Sequence, residues 1–183
     1  MIPPPSVRRS HLPRLPPEYY LGRTLVHWTM TIQGRNTGWL IPAFHTRFRF
    51  ILLHVLARYQ LACPVYCLMP DHLHMIWTGL VDASDQRRAR VFFRQHLNRE
   101  LSPWRLQSQA FDHVLRTQER VSDALAATAK YILENPVRAG LCAAWQEYPY
   151  SNALIAGYPT LDIRQENFWD IFFRVISGCP PAD

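Results

Sequence analysis

Lysine is almost absent from this chain of 183 residues: Lys130 is the only lysine among 20 lysine and arginine residues. Arginine therefore carries nearly all of the positive charge, and its planar guanidinium can donate two hydrogen bonds to one phosphate group. The net charge of +6 and the pI of about 9.5 are typical of proteins that bind polyanions such as nucleic acids.

Long hydrophobic runs are also missing from the sequence. No apolar stretch has the length of a membrane-spanning helix, and the N-terminal sequence MIPPPSVRRSHLPRLPPEYY lacks the apolar core of a secretory signal. We therefore expect a cytoplasmic protein that does not enter a membrane, with its four cysteines present as reduced thiols.

The length predicts one domain, flanked by two distinct terminal segments. Residues 1–20 are rich in proline and arginine, which predicts a flexible arm, with order beginning near Arg23. Arg8 and Arg9 suit this arm to lie along a phosphate backbone, although a solvated tail is the alternative. Residues 21–158 are predicted to form the folded domain, and residues 159–183 a further amphipathic helix with a tail.

Hydrophobic periodicity predicts strands in TLVHWTMTIQG, LACPVYCLM, HLHMIWTG and AFDHVLRT. It predicts helices in AFHTRFRFILLHVLARYQ, SDALAATAKYILEN and SDQRRARVFFRQHLNREL, with Ser84 as the N-cap of the last of these. The dipeptide Pro70-Asp71 favours a tight turn between the second and third strands. The resulting order, β-α-β-β-α-β-α, predicts an α+β domain of the ferredoxin-like split βαβ type with a four-stranded antiparallel sheet.

Two histidines one residue apart stand in the apolar stretch CLMPDHLHMIW. In a strand, His72 and His74 point to one face, while Leu73, Met75 and Trp77 point to the other. Two imidazoles held on one face of a rigid element can converge on one metal ion. For an isolated pair, the alternative is two partly buried histidines that bond to backbone carbonyls.

A second candidate group lies downstream in AKYILENPVRAGL. Tyr131 and Asn135 are four residues apart and therefore share one face of the predicted helix. The tyrosine hydroxyl is a candidate nucleophile, which has to be activated because its ordinary pKa is about 10. Taken alone, the pair is also compatible with a tyrosine at the core edge and an asparagine at a helix end.

Taken together, these motifs resemble those of a known protein family. MPDHLHMIW and KYILENPVRAGL, with FDHVLR between them and YPYSNA after them, resemble REP-associated tyrosine transposases, which belong to the single-tyrosine transposases of the HUH superfamily. The similarity runs from about Gly22 to Tyr158. The loop TGLVDASDQRR and the C-terminal helix depart from the family pattern.

The resemblance implies a specific chemistry for these residues. His72 and His74 would bind a divalent cation, Mg²⁺ or Mn²⁺, and Asn135 would complete the metal site. Tyr131 would attack a phosphodiester of single-stranded DNA within hairpin-forming repeat elements and produce a 5′-phosphotyrosine and a free 3′-hydroxyl. The resemblance also implies the four-stranded sheet predicted above, and it leaves open whether the chain acts as a monomer or as a homodimer.

Basic residues in two regions are predicted to contact the DNA. One region is the second helix, and the other surrounds the candidate nucleophile. The predicted contacts, beyond those of the arm, are Arg87, Arg88, Arg94, Lys130 and Arg138.

Two other functions compete with this interpretation. One is a non-catalytic DNA-binding protein derived from a transposase, although binding alone does not require Tyr131 and both histidines. The other is a zinc enzyme or a zinc-stabilised fold that uses Cys63, Cys67, His72 and His74, with both thiols on one face of their strand. Core cysteines are the simpler interpretation of the two thiols.

Overall fold

The computed structural model describes residues 15–115 and 121–178, with residues 121 and 122 described by their backbone only. The strands are β1 (Leu25–Thr31), β2 (Leu61–Leu68), β3 (His72–Gly79), β4 (Phe111–Leu115) and β5 (Ser151–Ile155). The helices are α1 (Pro42–Tyr59), α2 (Gln86–Glu100), α3 (Val121–Leu133), the short α4 (Asn135–Arg138) and α5 (Phe168–Ser177). All the strands and helices predicted from the sequence are among them.

The strands of the described segments form one antiparallel sheet in the spatial order β4-β1-β3-β2-β5. The order from β1 to β4 is β-α-β-β-α-β, as in a split βαβ fold, so the predicted α+β class is confirmed. The predicted count of four strands is wrong, because β5 pairs with β2 and extends the sheet by one strand. The sequence of β5, SNALI, has too short an alternation of polar and apolar residues to predict a strand.

Helices cover both faces of the sheet, and the alternation of side chains along β3 decides what each face contains. Leu73, Met75 and Trp77 point to the face that α1 and α2 cover, which we call the α1–α2 face. Ile76 points to the opposite face, where it meets buried side chains of α3 and α5, and we call this the α3–α5 face. The histidine pair has the same parity as Ile76 and belongs to the α3–α5 face.

The start of α2 differs from the prediction. Asp85, not Ser84, is the N-cap, because its carboxylate accepts hydrogen bonds from the backbone N–H groups of Arg87 and Arg88 at 2.9 and 3.0 Å. Ser84 is buried, and its hydroxyl donates to the carbonyl of Gln60 at 2.7 Å. Either residue type can cap a helix, so the sequence alone did not distinguish the two neighbours.

The packed part of the chain begins earlier than the predicted position near Arg23. Residues 1–14, including Arg8 and Arg9 of the predicted arm, lie outside the described residues. Leu15 packs against the core of the α1–α2 face, and Tyr20 is 1% exposed with its hydroxyl donating to Asp112. Burial of these side chains shortens the predicted flexible arm, so that residues 15–20 belong to the folded domain.

The predicted C-terminal helix is present as α5. Phe168 and Phe172 are buried in the core of the α3–α5 face, and the guanidinium of Arg23 donates to the carbonyl of Ile176 near the helix end. The segment after residue 159 therefore shares its core with the rest of the domain. None of the helices in the described segments has both the length and the apolar character needed to cross a membrane.

Candidate active site

The two histidines of β3 converge as the sequence predicts. Nε2 of His72 lies 3.0 Å from Nε2 of His74, and the two rings meet edge to face with centres 4.7 Å apart. His74 is 5% exposed, whereas about a fifth of the His72 side chain is exposed. β3 is hydrogen-bonded to β1 on one side and to β2 on the other, so a strand held on both edges carries the pair.

Asp71 orients the outer histidine. Nδ1 of His72 lies 2.6 Å from the carboxylate of Asp71, which in turn accepts from the guanidinium of Arg35 at 2.6 Å. Partial burial by itself would raise the pKa of Asp71, but the hydrogen bonds from His72 and Arg35 outweigh it and lower that pKa. An ionised carboxylate only accepts, so the proton of a neutral His72 is on Nδ1 and its Nε2 has a free lone pair.

The inner histidine has partners on β1 that the sequence motif does not predict. Nδ1 of His74 lies 3.1 Å from Nε2 of His27 and 3.1 Å from Oγ1 of Thr29, both on β1. Burial, together with the nearby imidazole of His27, lowers the pKa of His74 to about 3. Burial likewise lowers the pKa of His27 to about 4, with a smaller contribution from His113. Both rings are therefore neutral near pH 7.

Tyr131 of α3 joins this cluster from the helix above the sheet. Its ring centre lies 6.1 Å from that of His74 and 6.5 Å from that of His27. Tyr131 is 50% exposed, so the tyrosine borders the histidines while remaining open to solvent. The guanidinium of Arg138 lies over the ring, 4.5 Å from its centre.

Asn135 lies at the junction of α3 and α4, and its side-chain amide is engaged locally. Nδ2 donates to the backbone carbonyls of Tyr131 and Ile132 at 3.0 and 3.3 Å. These bonds satisfy carbonyls at the end of α3. They leave the amide oxygen as the atom with which Asn135 would bind a cation, and this role remains a prediction.

The nitrogen atoms of the histidine pair fit a shared cation. Two nitrogens that bind one ion at about 2.1 Å and at right angles are about 3 Å apart, which is the separation of Nε2 in His72 and His74. Within residues 15–115 and 121–178, no three side chains of His, Cys, Asp or Glu are grouped to hold a metal ion. Further ligands would have to be of other kinds, such as a carboxamide, water or a phosphate oxygen.

Tyr66, the other tyrosine close in sequence to the histidines, belongs to the α1–α2 face. It is completely buried, and its hydroxyl lies 2.6 Å from Nη1 of Arg49 and 3.0 Å from Nε2 of His45. Burial raises the pKa of Tyr66 to about 12. A buried hydroxyl on the opposite side of the sheet from the histidine pair is not placed to act with it.

The zinc interpretation required Cys63 and Cys67 to face the same way, and this expectation is wrong. The pairing of β2 shifts between Ala62 and Val65, which reverses the alternation. Cys63 is consequently in the core of the α1–α2 face, while Cys67 is in that of the α3–α5 face. Burial also raises the pKa of both thiols, that of Cys67 to about 12, which opposes formation of the thiolates that bind zinc.

The predicted DNA-binding residues that belong to the described segments lie in two separate places. Lys130 and Arg138 are exposed beside Tyr131, and each lies within 4 Å of Glu134, at 3.8 and 3.5 Å. The basic residues of α2 are on the other side of the sheet, since α2 packs on the α1–α2 face. Of these residues Arg87 and Arg88 are exposed, and Arg94 is partly buried.

Comparison with known proteins supports the fold. The sequence matches no family model and no curated protein. Among solved structures, the chain is similar to one described as a REP-associated tyrosine transposase bound to a REP hairpin, with a TM-score of 0.64 and 19% sequence identity. The similarity covers 78% of this chain and 81% of that chain. The chain has the fold of that transposase.

Proposed function

We propose that this protein cleaves and rejoins single-stranded DNA through a covalent phosphotyrosine, as a transposase-like enzyme. Tyr131 is the nucleophile, and His72, His74 and Asn135 hold a divalent cation. The observation that carries the proposal is the position of Tyr131, whose ring borders His74 with 6.1 Å between ring centres and yet is 50% exposed. A nucleophile for DNA has to be reachable by the strand and close to the group that binds the phosphate.

The proposed reaction exchanges one ester for another. The hydroxyl oxygen of Tyr131 attacks a backbone phosphorus, forms a tyrosine–phosphate bond and breaks the bond to the 3′ oxygen of the preceding nucleotide. Tyr131 loses its proton and the released oxygen gains one, which yields a 5′-phosphotyrosine and a 3′-hydroxyl. Because the new ester retains the bond energy, a 3′-hydroxyl can later displace Tyr131 and rejoin the strand without ATP.

The remaining residues of the site suit this chemistry. Mg²⁺ or Mn²⁺ bound to the two imidazoles would supply positive charge that offsets the charge on the reacting phosphate. Imidazole ligands carry no charge of their own, so they would leave that positive charge undiminished. Arg138 adds a fixed guanidinium over the ring of Tyr131, where it can attract the phosphate and help to hold it beside the hydroxyl.

The proposed substrate is a single strand that folds into a hairpin. The similar transposase was bound to a REP hairpin, and we extend this substrate class to the present chain. Arginine as nearly the sole basic residue type favours contacts with phosphate groups.

The test is incubation of the full-length protein with end-labelled DNA hairpins carrying single-stranded flanks, in Mg²⁺, in Mn²⁺ and in EDTA. We expect a covalent protein–DNA band on a denaturing gel and a shortened labelled strand in either metal, and neither in EDTA. A protein that binds the hairpins tightly but forms no adduct in any condition would instead be a non-catalytic DNA-binding protein. A duplex of the same sequence serves as the substrate control.

A further inference from the structure

A polar cluster lies beneath the histidine pair, on the neighbouring strand. Thr29 of β1 is directly opposite His74 in the strand register, and its Oγ1 lies 3.1 Å from Nδ1 of His74. Nε2 of His27 lies 3.1 Å from the same nitrogen and 3.4 Å from Oγ1 of Thr29. The three atoms form a triangle, so Nδ1 of His74 has two partners from one strand.

The cluster is largely buried, so the loss of these contacts would be energetically unfavourable. His27 is 8% exposed and His74 is 5% exposed, and the ring of Tyr131 borders both of them. A buried imidazole nitrogen without a hydrogen-bond partner is unfavourable. A neutral imidazole carries one proton and one lone pair, so the partner of one nitrogen determines what the other can do.

We propose that His27 and Thr29 are positioning residues for His74. They hold its Nδ1, and they thereby keep its Nε2 turned toward Nε2 of His72. The purpose of this arrangement rests on the proposed function, because an Nε2 lone pair of His74 is available to a cation when the proton is on Nδ1. The positioning itself concerns the side chains of the protein without any ligand.

The two partners differ in how they support His74, and either one can hold Nδ1 in part when the other is removed. The hydroxyl of Thr29 can rotate and either donate or accept, whereas the buried ring of His27 offers one nitrogen at a fixed place. Removing one partner leaves the second at 3.1 Å. We therefore expect a small effect from each single variant and a larger, non-additive effect from the double variant.

The experiment uses the full chain with His27→Phe, Thr29→Val and the two combined. Phenylalanine keeps a flat ring without nitrogens, and valine replaces the hydroxyl with a methyl group. His27→Gln combined with Thr29→Val is the rescue variant because its amide restores a polar group near the place of Nε2. His54→Phe, the same substitution at an exposed histidine of α1 across the sheet, is the matched control, and circular dichroism checks that each variant is folded.

Two readouts separate this inference from the proposed function. The first is the nitrogen-15 NMR spectrum of the histidine rings without metal, in which His74 of the natural chain should occupy a single tautomer and His74 of the double variant a mixture. The second is the affinity for Mn²⁺ alone, measured by electron paramagnetic resonance. We expect a loss of about 10- to 100-fold in the double variant, recovery when His27→Gln takes the place of His27→Phe beside Thr29→Val, and no change with His54→Phe.

The positioning role of His27 and Thr29 and the proposed metal site predict different outcomes. Unchanged tautomers together with unchanged Mn²⁺ affinity in the folded double variant would overturn the positioning role and leave the proposed function standing. A natural chain that does not bind Mn²⁺, but whose double variant loses the single tautomer, would support the positioning role and count against the metal site.

Discussion

The guanidinium of Arg138 lies over the ring of Tyr131, 4.5 Å from its centre, and Nη2 of Arg138 also donates to the backbone carbonyl of Tyr131 at 2.6 Å. This carbonyl is also bonded by the amide of Asn135. Arg138, on α4, therefore folds back over the candidate nucleophile on α3. It fixes a positive charge over the ring of the tyrosine, and the same ring borders the neutral imidazoles of His27 and His74.

Replacing Arg138 by glutamine should slow formation of the covalent adduct by about 10- to 100-fold, because a charged donor near the reacting phosphate is lost. Arg138→Lys keeps the charge without the planar guanidinium, so its rate of adduct formation should lie between that of the natural chain and that of Arg138→Gln. The rate is measured from single-turnover time courses on denaturing gels. Arg174→Gln, at an exposed arginine of α5, is the control, and a natural rate in Arg138→Gln would show that the guanidinium is not used.

Tyr131→Phe should form no covalent adduct, since it removes the oxygen that we propose as the nucleophile and keeps the ring. Affinity for Mn²⁺ and for DNA should persist, because neither depends on the hydroxyl. Mass spectrometry of the trapped natural adduct should find the modified tyrosine in a peptide containing AKYILENPVR. A modified peptide containing LACPVYCLMP, from the region of Tyr66, would refute the assignment, and Tyr66→Phe is the matched variant.

His72→Ala and His74→Ala should each abolish metal-dependent cleavage, because each removes one of two converging nitrogens. The chain should still fold, although His74→Ala leaves a cavity at a buried position and should lower the free energy of unfolding by about 1–3 kcal/mol. Cleavage in Mn²⁺ and thermal unfolding are measured side by side. Full activity of the double alanine variant would exclude a metal-binding role for the pair.

Acid should destabilise the fold over a defined pH window. Burial lowers the pKa of His27 and of His45 from 6.5 to about 4, so between these values the unfolded chain binds more protons than the folded one. The contribution of the two neutral histidines to the free energy of unfolding is complete above pH 6.5 and is lost as the pH falls through about 4. Urea unfolding from pH 8 to pH 4 should show this loss, with a shallower slope in His27→Gln, and a free energy that stays constant across the window would contradict it.

DNA binding should weaken steeply as the salt concentration rises, because arginine contacts with phosphates release bound counterions. Arg87→Ser combined with Arg88→Ser should reduce the log–log salt slope by about 2 if both residues contact phosphates. Because α2 packs on the α1–α2 face, such contacts would involve DNA at a distance from Tyr131. An unchanged slope in the double variant would restrict binding to other basic residues, with Lys130 and Arg138 as the next candidates.

Local patterns predicted the elements of the fold well. The two-residue period of HLHMIWTG was sufficient to assign His72 and His74 to one face, because side chains of a strand alternate. The same period failed in β2, where a shift in pairing reversed the alternation between Cys63 and Cys67. A shift of this kind depends on the strands on either side and leaves no signature in a single segment.

The contacts beneath the histidine pair could not be predicted from the sequence, for a related reason. His27 is a polar residue within an apolar strand, and that signal was available. Its contact with His74, however, depends on β1 pairing with β3 in the observed register. Likewise, periodicity gave no distance between Tyr131 and the histidines, which were associated only through the resemblance to a family.

The position of β3 in the sheet also affects how copies of this chain can associate. Among the strands of residues 15–115 and 121–178, β3 is the third of five in the order β4-β1-β3-β2-β5, and the two strands at the edges, β4 and β5, have five residues each. A partner that extended the sheet by strand pairing would have to add to β4 or β5, each separated from β3 by one strand. The histidine pair would then keep both of its neighbouring strands, and each copy would retain its own pair intact.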